Sequence, residues 1–381
     1  MKTIVISAVN IVEAGPLTIL RDCLSALSQW VADREGEFRV IAIVYKKELA
    51  DYPHIEYIET QWPKKKWINR LWYEYVSLKR ISKSIGPVYL WFSLHDTTPN
   101  VVAERQAVYC HNALFSYRWK FHDLFFAPKM TIIAMLTKFI YRRNVHRNCY
   151  VVVQQVWLRE AMNKMFAIDR SKIVVAPPTQ PKVSTHTQGR AGCRDKAISF
   201  IYAASPNPHK NFEVICRAVD ILENHYHIRD FKVYITVRGN ENKYARWLYK
   251  NWNKLTSLQF IGFLSKEELQ DYYDACEGLI YPSKAESWGL PISEFAVYNK
   301  YMLLADMPYA YETAGDSHHT AFFDPDNPAA LANLMMLLIK GENQDFKPIS
   351  STVMAEPLAN NWSDLFCMLL GEDINRRHNE V

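Results

Sequence analysis

An α/β chain built as two doubly wound domains in series is predicted by three observations. Short β-branched and aromatic runs alternate with helix-length patterns along nearly the whole sequence. The alternation halts at Pro177 and Pro178, and it restarts with the same spacing after a polar stretch. Strands separated by helix-length segments imply β-α-β units and mostly parallel sheets. The length of 381 residues agrees, since roughly 150 residues per domain gives two to three domains.

Taken in order, the strand runs of the first half are Thr3–Val9, Phe38–Tyr45, Ile55–Glu59, Val88–Ser93, Ala107–Cys110, Tyr150–Gln154 and Lys172–Ala176. Helical patterns at Leu17–Ala32, Trp67–Lys83 and Leu158–Phe166 lie between them. Residues 179–196 hold Gly189 and Gly192 and almost no large apolar side chain, the composition of a linker. Beyond it, strands are expected at Ala197–Ala203, Lys232–Val237, Leu258–Phe260, Gly278–Tyr281, Tyr301–Ala305 and Ala321–Phe323. Helices are expected at Asn211–Glu223, Lys266–Cys276, Pro291–Tyr298 and Pro328–Ile339. The expected division is therefore a first domain at 1–178, a linker at 179–196, a second domain at 197–360, and a separate C-terminal helix and tail at 361–381. Two such domains facing each other form a cleft lined by the carboxyl ends of both sheets, where ligands of open α/β sheets bind. Chemistry is expected in loops that directly follow strands.

Composition sets outer limits. With 49% hydrophobic and 22% charged residues, the chain is neither disordered, collagen-like nor a disulfide scaffold. Its seven cysteines are scattered singly, which points to a reducing compartment and away from a structural zinc site. Thr3–Val9 runs straight into polar Asn10 and Glu13, so no secretory leader is expected there. Met130–Tyr141 contains Lys138 and is too short for a bilayer, which needs about 20 residues. The expectation is a cytoplasmic protein, peripheral at the inner face of the plasma membrane. The net charge of +5 hides an imbalance. Residues 1–180 carry 25 Lys+Arg against 15 Asp+Glu, and the remainder carries 20 against 25. Most of the basic excess lies in 62–147, where Trp62-Pro-Lys-Lys-Lys-Trp67 and Phe121–Arg147 interleave cations with aromatics. That pattern suits an anionic membrane, with nucleic acid the disfavoured alternative and a solvated basic face the plain one.

The strongest chemical signal follows the strand at Gly278–Tyr281 and reads Pro282-Ser-Lys-Ala-Glu286-Ser-Trp-Gly289-Leu290-Pro291-Ile-Ser-Glu294. Pro291 suits a first helical turn, with Ser283 or Ser287 as the cap, and the amides near Gly289 and Leu290 would then be open to a phosphate. Glu286 and Glu294 flank those amides. Two carboxylates around a phosphate-binding turn fit a ligand with hydroxyls at both ends and phosphate between them, the layout of a nucleoside-diphosphate sugar.

This Glu–x7–Glu pair with Gly-Leu-Pro inside it, in the second half of a two-domain α/β chain, resembles the retaining glycosyltransferases of GT-B fold, and most closely the family 4 type. The resemblance covers essentially the whole chain. It implies two Rossmann-like domains facing a cleft, with Glu294 on the ribose hydroxyls, Glu286 on the donor sugar, and the Gly289 and Leu290 amides on the diphosphate. Ala203-Ala-Ser205-Pro-Asn-Pro-His209-Lys210 follows the first strand of the second domain, and Lys210 at a helix entry can neutralise a departing diphosphate. The family carries an Arg at the position of Ser205 or His209; Arg238, in Val237-Arg-Gly239, is the candidate substitute. His111 in Tyr109-Cys-His111-Asn112 resembles the residue that reaches the donor sugar, and His95 and Asn112 are acceptor-side candidates. Gly15, in Glu13-Ala-Gly15-Pro16 between the first strand and its helix, stands where the family brings backbone close to ligand. Phe263 in Gly262-Phe263-Leu264 stands where a loop packs on the nucleobase. Asp324-Pro-Asp326 reads as a turn and helix cap.

The function expected is transfer of a hexose-type sugar from a nucleotide-diphosphate donor to a glycan or lipid-linked acceptor in surface-polysaccharide synthesis, with retention and with no metal, cofactor or nucleic acid. The alternatives are a nucleotide-sugar 2-epimerase of the same fold and a non-catalytic nucleotide-sugar or polyanion-binding protein.

Overall fold

The computed structural model describes residues 1–178 and 197–372. These residues form two compact units, one made of 1–113, 136–178 and 354–372, the other of 114–135 and 197–353. The expected linker at 179–196 lies outside the described residues.

The first unit holds seven strands: β1 (Lys2–Ala8), β2 (Phe38–Val44), β3 (Glu56–Glu59), β4 (Leu90–Ser93), β5 (Arg105–Tyr109), β6 (Tyr150–Val153) and β7 (Ile173–Val175). They make one parallel sheet in the order β3-β2-β1-β4-β5-β6-β7. Ile4 pairs with Val40 on one side and Leu90 on the other. β1 is buried at every position after Lys2, and successive residues go to opposite faces. Ile4, Ile6 and Ala8 join Leu20, Leu24 and Leu27 of the helix Ala14–Ala32, whereas Val5 and Val9 join Tyr73, Leu78 and Trp91. A parallel strand covered on both faces must read as a continuous apolar run. Each such side chain contributes about 1.5–3 kcal/mol by leaving water.

The second unit repeats the plan with β8 (Ile198–Tyr202), β9 (Phe231–Ile235), β10 (Leu258–Phe260), β11 (Gly278–Tyr281), β12 (Tyr301–Ala305) and β13 (Thr320–Phe323). Their order is β10-β9-β8-β11-β12-β13, all parallel. Both sheets therefore reverse direction of growth beside their first strand, between β1 and β4 and between β8 and β11. That is the topological switch point of a Rossmann-like sheet. The surrounding helices start where side chains satisfy their free amides. Ser265 and Glu268 form a capping box on Lys266–Ala275, Asn242 caps Lys243–Trp252, and Asn327 accepts from Ala329 and Ala330 at the start of Pro328–Ile339.

Two parts of the expected division change. The C-terminal helix, Trp362–Leu370, is not separate: Leu365, Phe366, Leu369 and Leu370 are buried in the same core as Ile4 and Leu24. Tyr89 Oη and Arg105 Nε donate to the carbonyls of Leu370 and Leu369 at 2.8 and 2.7 Å. The chain rejoins the first unit from residue 354, where Arg159 Nη1 donates to the Ala355 carbonyl and the Val175 amide donates to that of Pro357. In the other direction, residues 114–135 belong to the second unit. Tyr117, Ala134 and Ala285 share a small core with Leu114 and Met130, and Lys120 Nζ meets Asp326 Oδ1 at 2.8 Å. Such packing depends on residues far apart in sequence and leaves no local pattern to read.

Candidate functional site

Lys210 and Glu286 arrive from the two strands that border the second switch point. Lys210 ends the turn Pro208–Lys210 after β8, and Glu286 lies in the loop after β11. The ammonium and Glu286 Oε1 form a close ion pair, and both side chains keep a sliver of exposure, 17% and 13%. Tyr281 Oη donates to the same carboxylate oxygen at 2.9 Å, and Tyr202 Oη donates to the Lys210 carbonyl at 2.7 Å. Each tyrosine is the last residue of its strand, so the sheet itself aims both chemical groups. Burial would raise the Glu286 pKa, but the neighbouring Lys210 charge overrides it and holds the carboxyl below its ordinary value. Asn211 ties the two loops together from a left-handed backbone (φ 57°), donating to the carbonyls of Pro282 and Pro325 at 3.2 and 2.8 Å.

His209 stands at one of the two positions where the resembled family carries an arginine, and it is neutral. Burial, reinforced by the Lys210 charge, lowers its pKa to about 3, and its ring lies edge-on to Tyr117 with Nδ1 3.1 Å from Met130 Sδ. Ser205, the other such position, is exposed and its Oγ accepts from Asn207 Nδ2 at 3.0 Å.

The turn at Gly289 needs glycine. Its φ is +90°, and a Cβ there would sit 3.2 Å from Ile292 Cδ1. Gly289 itself is the cap position of the helix Leu290–Ala296, with no side chain closing it. Ser283, expected as a possible cap, instead directs its hydroxyl to the carbonyls of His209 and Ala285 at 3.4 Å. Leu290 opens the helix, and Glu294, one turn on, accepts from Tyr273 Oη at 3.4 Å. Burial raises the Glu294 pKa, against the opposing pull of Lys266. The two glutamates of the motif are thus tuned in opposite directions.

Arg238 follows β9 and is exposed. Its backbone amide and that of Gly239 donate to the Glu241 carboxylate at 2.5 and 2.8 Å, and this amide cradle holds Glu241 ionised despite partial burial. The Arg238 side chain lies over Gly262: a Cβ at that glycine (φ +77°) would come within 3.0 Å of Nε. Next to it Phe263 is 86% exposed. Among the described residues no hydrogen bond or ion pair joins these three groups, Lys210 with Glu286, Glu294 with Tyr273, and Arg238 with Gly262.

The first unit handles its post-strand loops differently. His95, after β4, is fully enclosed. Its Nε2 lies 3.0 Å from Ser7 Oγ and its Nδ1 lies 3.3 Å from Thr97 Oγ1 and 3.4 Å from Glu74 Oε1. Arg70 closes the network through Glu74 (2.7 Å) and the His95 carbonyl (2.8 Å). Burial lowers the His95 pKa despite Glu74. Glu74 reaches inward from a π-helical turn, Tyr73–Ser77, a local widening that re-aims side chains. His111, after β5, is partly exposed. Its Nε2 lies 2.7 Å from the Leu94 carbonyl and its backbone amide donates to Asp96 Oδ1 at 2.6 Å. Burial keeps the ring neutral, so the proton on Nε2 faces that carbonyl and Nδ1 is left as an acceptor. Among the described residues Nδ1 has no partner. Asn112 follows it, partly exposed. Gly15 lies within the first turn of Ala14–Ala32 and not in a loop before it, because the helix begins directly after the extended Glu13. Sequence reasoning missed Tyr202, Tyr281, Arg70 and Glu74; the two strand-terminal tyrosines were the available signal.

Asp324 and Asp326 serve the fold. Asp324 Oδ1 accepts the Asp326 amide, and Asp326 Oδ1 takes both Lys120 and Lys284, at 2.8 and 2.7 Å.

Known proteins share this fold. Residues 187–351 match the family model described as Glycosyl transferases group 1. The O-antigen chain mannosyltransferase RfbU of Salmonella typhimurium is 21% identical over 208 residues, covering 54% of this chain and 56% of that protein, so the chain matches about half of that relative's length. Among solved structures, Anabaena HepE in complex with UDP superimposes with a TM-score of 0.62 at 12% identity, covering 98% and 95% of the two chains. The lipopolysaccharide outer core galactosyltransferase WaaB gives 0.60 at 12%, covering 98% and 96%. The sucrose-phosphate synthase of Thermosynechococcus elongatus gives 0.62 at 14%, covering 89% and 90%. These likenesses establish the GT-B fold, two Rossmann-like domains, and the family-model match covers residues 187–351 of the second half.

Proposed function

We propose that this protein is a retaining glycosyltransferase that moves a hexose-type sugar from a nucleoside-diphosphate donor to a glycan or lipid-linked acceptor in surface-polysaccharide synthesis. The observation that carries the reading is the Lys210–Glu286 pair at the second switch point. Burying an ion pair costs desolvation energy comparable with its attraction, so the pair adds little to stability. A reactive role explains it better.

A diphosphate arriving beside Lys210 competes with Glu286 for the ammonium. Lys210 then stabilises the charge that grows on the leaving phosphate, and Glu286 is freed to accept hydrogen bonds from donor-sugar hydroxyls. The glycine turn at Gly289 lets backbone approach the diphosphate without a Cβ in the way, with the Leu290 amide beside it. Glu294 takes the ribose hydroxyls. Arg238 and Phe263 supply a cation and an aromatic face for the nucleoside end, and Ser205 a hydroxyl for the phosphate. In the first unit, His111 holds the loop after β5, its ring against the Leu94 carbonyl and its amide on Asp96. Asn112 and Gly15 serve the acceptor, and His95, enclosed as it is, serves by holding its loop. The acceptor hydroxyl attacks from the face the diphosphate leaves, with Lys210 in place of a metal ion. The RfbU match and the UDP complex of HepE support the donor class. The absence of a membrane-crossing helix among the described residues, with the basic aromatic segments, supports peripheral attachment to an anionic membrane.

Under donor saturation, Lys210→Ala and Glu286→Ala should each slow transfer at least about a hundredfold, roughly 2.7 kcal/mol of transition-state stabilisation. Circular dichroism should show both still folded. Near-normal transfer by either variant defeats the assignment. The neutral His209 leaves a single cation in the post-β8 loop, which favours a donor-binding protein without turnover as the second reading. Tight donor binding with no transfer across many acceptors would select it, and conversion of donor alone would select an epimerase.

A further inference from the structure

Two consecutive helices, Phe121–Phe126 and Pro128–Arg142, are amphipathic with the usual orientation reversed. On the first, Phe121, Leu124 and Phe125 are exposed, at positions i, i+3 and i+4, and Phe121 is 84% open. On the second, Ile132, Met135, Leu136 and Phe139 are exposed, an i, i+3, i+4, i+7 stripe along one face, with Phe139 74% open. The opposite face buries the smaller Thr131, Ala134 and Thr137. A helix of a water-soluble unit directs such a stripe at its core, and contiguous apolar surface left outside marks an interaction site.

We infer that this stripe inserts into the surface of an anionic lipid bilayer. Charge decides the occupant. Between residues 114 and 143 there are six Lys or Arg and one acid, Asp123. Asp123 is buried, accepting from Tyr117 Oη and the Lys120 amide. Lys129, Lys138 and Arg142 border the stripe, the arrangement that holds an amphipathic helix at the headgroup level of acidic lipids. A second copy of the chain would bring those same cations against each other. The Trp62–Trp72 region offers similar chemistry but has committed part of its charge, since Lys64 lies 4.0 Å from Glu13 and Arg70 is tied to Glu74.

This deepens the reading above, in which a lipid-linked acceptor is met at a bilayer, but the two fail separately. Full-length protein is sedimented with vesicles of phosphatidylglycerol and phosphatidylcholine, and with phosphatidylcholine alone. Binding is expected to the acidic vesicles, reduced at least about tenfold without the acidic lipid and at least about tenfold by Phe125→Ser with Phe139→Ser. Lys138→Glu with Arg142→Glu, which leaves the apolar stripe intact, should weaken acidic-vesicle binding by a similar factor. Thermal shifts with nucleoside diphosphates should be unchanged in both variants, which separates this test from the donor-site assignment. Wild-type protein left in the supernatant, or serine variants that sediment as wild type does, would overturn the inference. So would a wild-type dimer in light scattering that the serine variant abolishes while vesicle binding persists.

Discussion

The two units share one topology and treat their switch points oppositely. After β8 and β11, Lys210 and Glu286 face each other with residual exposure, supported by two tyrosines that leave the charges in place. After β4, the comparable groups are tied to one another: His95, Glu74 and Thr97 are enclosed, Glu74 only 1% exposed, and Arg70 joins them through Glu74 from a partly exposed position. A doubly wound sheet supplies the location, and the local partners decide whether charged groups are left partly open or are locked.

The contrast can be broken most sharply by removing each set of charges. Glu74→Ala would leave the Arg70 guanidinium without its counter-charge and the enclosed Thr97 hydroxyl without its acceptor, and should lower unfolding free energy by about 3–5 kcal/mol in denaturant titration. The double variant Lys210→Met with Glu286→Leu should match or exceed wild-type stability while transfer is lost. Equal destabilisation by the two would erase the distinction.

Acid should charge the neutral histidines next. His95, His111 and His209 are all held neutral, with pKa values lowered mainly by burial. The unfolded chain binds protons at these sites below about pH 6.5 while the folded chain does not. Stability is therefore full above that pH and falls as the solution is acidified, continuing for His209 to about pH 3. Each histidine contributes a slope of up to about 1.4 kcal/mol per pH unit. Replacing His209 with Gln should flatten the decline in melting temperature between pH 6.5 and 5, and an unchanged slope would count against its neutral state.

Smaller effects refine the donor side. Gly289→Ala forces a side chain into a left-handed turn and against Ile292, and should cost about 1–3 kcal/mol by thermal melting. Phe263→Ala removes an exposed ring that packs on little else. It should leave melting within about 0.5 kcal/mol of wild type while weakening nucleotide binding severalfold by calorimetry.

Much of this was legible in the sequence for a physical reason. Strands of a covered parallel sheet are unbroken apolar runs, so Leu258–Phe260, Gly278–Tyr281 and Tyr301–Ala305 have the ends expected of them. The helix Lys243–Trp252 escaped notice because the half-buried Trp247 and the exposed Tyr249 lie outside the apolar stripe made by Tyr244, Ala245 and Leu248 and blur it. The Lys210–Glu286 juxtaposition follows from two post-strand loops of adjacent strands. The tyrosines beneath them read as core, and only the sheet register shows them to be hydrogen-bond donors. The allocation of residues 114–135 and 354–372 between units rests on contacts that no local pattern encodes.

The return of the chain to the first unit sets an order for synthesis. Leu365, Phe366 and Leu369 complete a core begun by Ile4 and Ile6. The amino-terminal unit is therefore the later of the two to close during translation. The second unit is finished once residue 353 has left the ribosome, while the first still presents an uncovered apolar face until residue 370 appears. A nascent chain stalled between those points carries a folded carboxyl-side unit and an unfinished one upstream, the state most in need of a chaperone.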